Sequence, residues 1–359
     1  IFTIALSFHE YTSRPSRVMC HPHENTRRAP GGAWSSTGWV VPKNSWSAAQ
    51  SDLPAPHDPE PRVPIQGWLT ADAARPLFAG AGLDLEEAYR KANKPGFKPV
   101  PLNATLSVDL ASTTASKTSR NVVGVLPGKA RADEAVLYMA HWDHLGNHEG
   151  EEGEAVYNGG VDNAPRVAGV LEVAGGFAHQ EQPPERSVVF VAVTLEESGL
   201  LGSKYYVAHP TFPLDKIAGV VNLDAMSVGG RSRDMVVTGF GNSELEDLLK
   251  AHTDQQDRVL TEEGNTAAGY YFRSDHFNFA KAGVPALYAK GGNDLLEGGV
   301  EAGKAASEEY AKRYHQASDE VQVTARLIRG ATGEVIWTQT FVREPRDVLA
   351  LQGEVARSI

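Results

Sequence analysis

Three short apolar runs, each followed closely by an acid or an imidazole, limit what this chain can fold into more than any other feature. They are EAVLYMA (134–140), SVVFVAVT (187–194) and IAGVVNL (217–223). Runs of this kind, without polar alternation, suit strands buried on both faces, the condition of inner strands in a parallel sheet. Helical patterns at 165–179, 201–208, 243–253 and 276–282 alternate with them, and 235–238 and 285–289 add two shorter strand candidates. The alternation predicts an α/β fold, a three-layer αβα sandwich around a largely parallel mixed central sheet. Nothing repeats at a solenoid period.

The polar residues sit where such a sheet binds ligands, at the carboxyl ends of its strands. EAVLYMA runs directly into His141-Trp142-Asp143-His144. SVVFVAVT reaches Glu196-Glu197 one residue later, and IAGVVNL ends at Asp224. The loop Asn158-Gly159-Gly160-Val161-Asp162-Asn163 delivers Asp162 just before a helix. A single carboxylate at a strand end is ordinary turn chemistry. Several converging on one sheet edge need a cation, because burying unpaired carboxylates is costly. No Lys or Arg stands close to Glu196 and Glu197 in sequence. A metal is the simplest explanation, and two metals account for the number of carboxylates. Imidazole and carboxylate donors suit zinc, with manganese or cobalt as replacements. Cys20 is the only cysteine, which excludes an intrachain disulfide and cysteine-based zinc sites.

Other classes are disfavoured. The formal charge of −11, with no dense basic run, is the wrong sign for a nucleic-acid binder. No stretch reaches the roughly 20 apolar residues of a membrane span.

The chain divides into three parts by texture. Residues 1–118 form an irregular N-terminal region, without sustained periodicity over 1–66. Histidines 9, 21, 23 and 57 show no fixed zinc spacing and read as polar loop residues. Short helices are expected at 70–77 and 83–92, and a strand at 99–109. The opening apolar run, 1–8, lacks the basic start and cleavage site of a signal peptide. The chain opens on Ile1 rather than Met and reads as a fragment or a processed product. Residues 119–320 are the α/β unit. From 321 to 359 the texture changes again, to two hairpin strands (321–328 and 334–342) about a turn at 331–333, then a helix at 346–359.

Six ordered motifs, HWDHLG (141–146), NGGVDNA (158–164), VTLEESGLLGS (193–203), NLD (222–224), RSDHFNFAKAGVP (273–285) and YHQASDE (314–320), resemble the co-catalytic dinuclear zinc aminopeptidases typified by bacterial secreted leucine aminopeptidases. The resemblance covers roughly residues 119–320. It implies two zinc ions per chain, one held by His141 with Asp224, the other by Glu197 with His315, and Asp162 bridging them. It also implies Glu196 as general base, Asp143 behind His141 fixing its ring, and Tyr314 on the developing oxyanion. His276 competes with His315 for the last ligand place, and the resemblance favours His315; His144 is expected to be structural. Peptides with a free N-terminus would be the substrates, and the location secreted or periplasmic. Oligomeric state has no readable signal.

Residues 37–105 resemble part of a protease-associated domain with its return segment. Two departures stand out. Pro165-Arg166 replaces the small residues that relatives place after the bridging aspartate, so Arg166 either crowds the pocket or points out. The tail after residue 320 resembles a module of adenylate-cyclase-like and tetratricopeptide regulatory proteins. A carboxypeptidase or glutaminyl cyclase on the same scaffold, or a non-catalytic scaffold protein, remain the competing readings.

Overall fold

The three apolar runs lie side by side within a seven-stranded sheet. The computed structural model describes residues 2–6, 50–54, 57–58, 65–92, 94–105, 107, 109, 111, 113–147, 156–224, 229–264, 266, 269–317, 322–328 and 335–342. The expected turn at 331–333, the helix at 346–359 and histidines 9, 21 and 23 lie outside the described residues. The chain divides into two compact units. One comprises Ile1–Ala49, Leu53–Ser119 and Gly264–Tyr270, the other Gln50–Asp52, Arg120–Glu263 and Tyr271–Ile359.

In the first unit, β1 (Phe2–Leu6) pairs antiparallel with β2 (Ile65–Leu69). A strand at the very start corrects the reading of 1–66 as irregular, since a five-residue run has too few positions to show a period. Helix α1 (Ala71–Gly80) starts where the Thr70 hydroxyl accepts from Ala73 N at 3.2 Å. Helix α2 (Leu85–Ala92) starts where Asp84 accepts from Glu87 N at 2.7 Å. Ala74, Phe78 and Leu85 form the core between them. The described residues of 99–109 form no strand. Pro99 and Pro101 remove two backbone donors that a ladder would use.

The second unit runs β3 (Val122–Leu126), β4 (Arg131–His141), β5 (Gly146–Asn147), β6 (Val156–Tyr157), α3 (Ala164–Ala178), β7 (Arg186–Val193), α4 (Leu201–Ala208) and β8 (Ile217–Asn222). It continues with β9 (Asp234–Val237), α5 (Leu245–Gln255), β10 (Val259–Glu262), α6 (His276–Lys281), β11 (Ala286–Gly291), α7 (Gly299–Ala311), β12 (Gln322–Ile328) and β13 (Val335–Val342). The main sheet has the order β10-β9-β11-β8-β4-β7-β3. Neighbours are parallel except β9 with β11 and β3 with β7. Strands β12 and β13 pair antiparallel, as the hairpin pattern predicts.

Alternation along β4 and β7 sends residues to two faces. Leu137, Met139, Val189, Val191 and Val193 face one side with Tyr206 of α4 and Phe279 of α6. Tyr138 and Phe190 face the other, where Phe177 of α3 meets them with ring centroids 6.0 and 6.2 Å away. Helices therefore cover both faces, and the αβα expectation holds. Five elements of this unit escaped the pattern, the two-residue strands β5 and β6 among them. Strand β3 is an exposed edge with a glycine, β10 has four residues, and α7 is built largely of Ala, Gly and Glu, which show little amphipathic stripe.

Helix α4 sits against the exit of β7 through Gly202. A Cβ there would land inside contact distance of the main-chain oxygen and nitrogen of Thr194. Asn121 clamps the same place, donating to Gly202 O at 2.8 Å and accepting from Thr194 N at 3.1 Å. Gly202→Ala is expected to lower unfolding stability by about 1–3 kcal/mol. An unchanged urea midpoint would show that this helix and strand can separate without cost.

Candidate metal centre

The register of the central strands brings the polar ends together. His141 pairs with Val193 across β4 and β7, and Met139 with Asn222 across β4 and β8. Three parallel strands thus finish nearly level, and the residues just beyond them, Glu196, Glu197 and Asp224, share one edge with His141. Asn163 ties the Asp162 loop to the same edge, its Nδ2 donating to Leu223 O at 3.2 Å. His315 arrives from the turn after α7, with left-handed backbone (φ 56°).

Imidazoles and carboxylates alternate through the cluster. His141 Nε2 lies 3.8 Å from Asp224 Oδ1 and 3.1 Å from Asp162 Oδ1. The other oxygen of Asp162 faces His315 Nε2 at 3.6 Å. His315 Nε2 stands 3.0 Å from Glu197 Oε2, and Glu197 Oε1 stands 2.7 Å from His144 Nδ1. Among the described residues, three sets of donor atoms lie within 4.8 Å of one another: His141, Asp162 and Asp224; His141, Glu196 and Glu197; and His144, Asp162 and Glu197.

The electrostatics follow from burial working against charge. Burial opposes protonation of His141, but Asp162, Asp224 and Glu196 outweigh it and hold the ring well above its ordinary range. The same contest raises His315 to about 10, with Glu197 and Asp162 as the winning partners. Burial pushes the carboxylates up, yet His141 and His315 hold Asp162 well below its usual value, and His315 with His144 helps bring Glu197 to about 2. Glu196 goes the other way: burial, then Glu197, Asp224 and Asp275, hold it well above the carboxylate range despite His141. Burial and neighbouring Asp162 and Glu197 likewise raise Tyr314, whose ring stacks on His315 at 3.9 Å between centroids.

The surrounding contacts show how His141 is held. Asp143 fixes His141 with its main chain, not its carboxylate: His141 Nδ1 donates to Asp143 O at 2.9 Å. The Asp143 carboxylate instead accepts from Leu195 N at 2.6 Å and Thr194 Oγ1 at 3.0 Å, tying the β4 and β7 exits together. The tight turn after His141 aims that side chain at the neighbouring strand. Asp224 accepts from Ser274 Oγ, and Asn222 Nδ2 donates to the same hydroxyl at 2.6 Å.

Neither His276, the competing ligand in the sequence, nor His315 lies in one of these three donor sets, but His315 faces Asp162 and Glu197 directly. His276 is fully buried between Tyr271 and Tyr288, with centroids 4.9 and 5.0 Å away, and burial takes it down to about 4. Arg166 turns inward: it is 1% exposed and donates to Val161 O at 2.7 Å. Burial lowers its pKa, opposed by Asp224 and Asp162. Sequence reasoning read His144 as structural and passed over Ser274, though the motifs HWDHLG and RSDHF contain both.

The donors fit a divalent ion of borderline softness such as zinc, by type and by closeness. Buried atoms without a hydrogen-bond partner, both nitrogens of His144 and Glu197 Oε1, point the same way.

Comparison with known proteins gives the family. The profile of peptidase family M28 matches residues 121–338, and the chain belongs to that family. The match extends into the tail that begins at residue 321 in the sequence reading. A probable zinc metalloprotease of Pyrenophora teres f. teres is 32% identical over 127 residues, 35% of this chain and 23% of that protein. Aminopeptidase NAALADL1 of Mus musculus is 29% identical over 137 residues, 36% of this chain and 17% of that protein. The aligned stretch thus spans a quarter or less of these longer relatives. Among solved structures, LapA of Legionella pneumophila aligns with a TM-score of 0.42 at 19% identity, covering 56% of this chain and 50% of that one. No described helix is long and apolar enough to cross a membrane.

Ser274 holds the Asp224 carboxylate in place, and groups that orient ligands typically carry about 10–100-fold in metal affinity. Ser274→Ala is therefore expected to weaken zinc binding by that factor in competition with a chromogenic chelator. Parent-like affinity would mean that Asp224 needs no such support.

Proposed function

We propose that the chain is a two-zinc aminopeptidase that removes the N-terminal residue of peptides. The observation that carries this reading is Asp162, whose two oxygens face imidazoles on opposite sides, His141 at 3.1 Å and His315 at 3.6 Å. A carboxylate so placed would offer one oxygen to each of two divalent ions. His141, Asp162 and Asp224 would hold one ion; Glu197, His315 and Asp162 would hold the other. Bound there, the ions supply Lewis acidity toward the scissile carbonyl and lower the pKa of a water.

The protein's own groups do the rest. Glu196 takes the proton of the attacking water and returns it to the leaving amine. Its raised proton affinity, set by burial beside Glu197, suits that exchange. The Tyr314 hydroxyl donates to the developing oxyanion, and stacking on His315 restrains its ring. Asp143, accepting from His141 Nδ1 through its carbonyl, leaves Nε2 to face the carboxylates. The substrate's free α-amine sits beside the centre, which confines cutting to the first residue. Membership of a peptidase family and the aminopeptidase named among the relatives support the same class. A secreted or periplasmic location accompanies it, and residues 37–105 are read as part of a protease-associated domain.

Hydrolysis of leucine p-nitroanilide by the purified chain should vanish on chelation and return with zinc. Folded, zinc-loaded protein that never turns the substrate over would move the assignment to another peptidase class. Glu196→Gln should keep its metal and lose about 100- to 10,000-fold in kcat; near-normal turnover would remove Glu196 from the role of base. In metal analysis, His315→Ala should lose about one ion per chain and His276→Ala none. The reverse counts would exchange the two histidines.

A further inference from the structure

We propose that His144 is an additional donor on the Glu197–His315 side of the centre, so that Glu197, His315, Asp162 and His144 together hold one divalent ion. The proposal rests on the metal centre read above and goes beyond it in giving that side a fourth protein ligand.

The local chain is built to carry this ring inward. After β4 the Trp142 amide donates to Val193 O at 2.9 Å and its indole to Arg120 O at 3.0 Å. The Asp143 carboxylate is fastened to Thr194 and Leu195. With its two predecessors pinned to β7 and the segment before β3, His144 is left facing the cluster. Gly146 then pairs with Tyr157 in the small β5–β6 ribbon, which brings the Asp162 loop alongside. Gly159 in that loop leaves room for the imidazole: a Cβ there would stand 2.8 Å from His144 Cβ and 2.9 Å from its Cγ. Gly159 also has φ 61°, so a side chain is disfavoured at this position twice over.

The ring that results is 4% exposed, with Nδ1 2.7 Å from Glu197 Oε1. Neither ring nitrogen nor Glu197 Oε1 has a hydrogen-bond partner, because the nitrogen and the oxygen are close without lying on a hydrogen-bond line. Leaving such groups buried and unmet is costly. Two ligands of one cation have this relation: their donor atoms are neighbours, but their lone pairs converge on a third point between them. His144, Asp162 and Glu197 are themselves one of the three tight donor sets. The ring also meets His315 edge-on, with centroids 5.5 Å apart and planes at 77°, which lets both imidazoles approach one point without overlapping.

The consequence is an unequal pair. One side has four protein donors, the arrangement of a closed site, and the other has three, the arrangement of a site with an open position. The closed side should bind its ion more tightly.

The test is cobalt(II) titration of the metal-free full chain, read by proton NMR and by competition with a chromogenic chelator. Cobalt-coordinated histidines should show three hyperfine-shifted ring N–H signals, from His141, His144 and His315. His144→Phe keeps the ring's bulk against Gly159 and should leave two. It should also weaken the tighter of the two cobalt sites by more than the roughly 10–100-fold that merely orienting groups carry. Two shifted signals in the parent, or a variant with parent-like signals and constants, would overturn the proposal and leave the wider reading intact. The parent count does not depend on the variant folding. A folded parent that binds no cobalt would overturn the centre itself and His144 with it.

Discussion

Carboxylates buried at one sheet edge dominate this structure. Asp162, Glu196 and Asp224 are each no more than 8% exposed, and the Glu197 side chain is equally enclosed. Asp143 and Asp275 stand immediately behind, where burial raises both, Asp275 to about 7. Taking one such ion out of water costs several kcal/mol unless cations and donors answer it. The neighbouring residues can be understood as those answers. His141 and His315 stand between acids, Arg166 is drawn inside, and Ser203, Ser274, Thr194 and the Leu195 amide each donate to an acid. Even so the set remains acid-rich, which is the condition of a cation site rather than of a packed core.

Holding acids so close requires a rigid frame. The segment bearing Glu196 and Glu197 is flanked by two left-handed residues that are not glycine, Leu195 (φ 56°) and Leu200 (φ 61°). Such residues persist only where their surroundings over-determine them. Here Leu195 N is held by Asp143, Leu200 N by Glu196 O at 2.8 Å, and Leu200 O by Asn278 Nδ2 at 3.0 Å. The close contact of Gly202 with Thr194 fixes the helix that follows. The carboxylates are thus aimed by main chain braced on both sides, not by their own flexible stems.

Much of this could be read from the sequence, for a physical reason. Inner parallel strands carry their signal in composition, so β4, β7 and β8 stood out, and residues after a buried strand have few places to go. What could not be read depends on partners distant in the chain. Strand β1 is recognisable only beside β2, and β3 only beside β7. The stretch 99–109 has strand-like residues, but its prolines deny it a ladder. At the site, strand-end position identified His141, Glu196, Glu197 and Asp224. It could not tell which atom of Asp143 would reach His141, because that depends on a turn. Nor could it show His144 facing Glu197, since the glycine that clears its way lies in another loop.

His315 differs from the other members of the cluster in coming last in the chain. It follows α7, long after β8 has delivered Asp224, and its left-handed backbone places it among groups already assembled. A ribosome therefore completes the whole sheet edge before it makes this histidine. During synthesis the nascent chain carries an unfinished cluster, with Glu197 and one oxygen of Asp162 still awaiting their imidazole. On the reading proposed here, the chain becomes a peptidase only once the segment after α7 has been made.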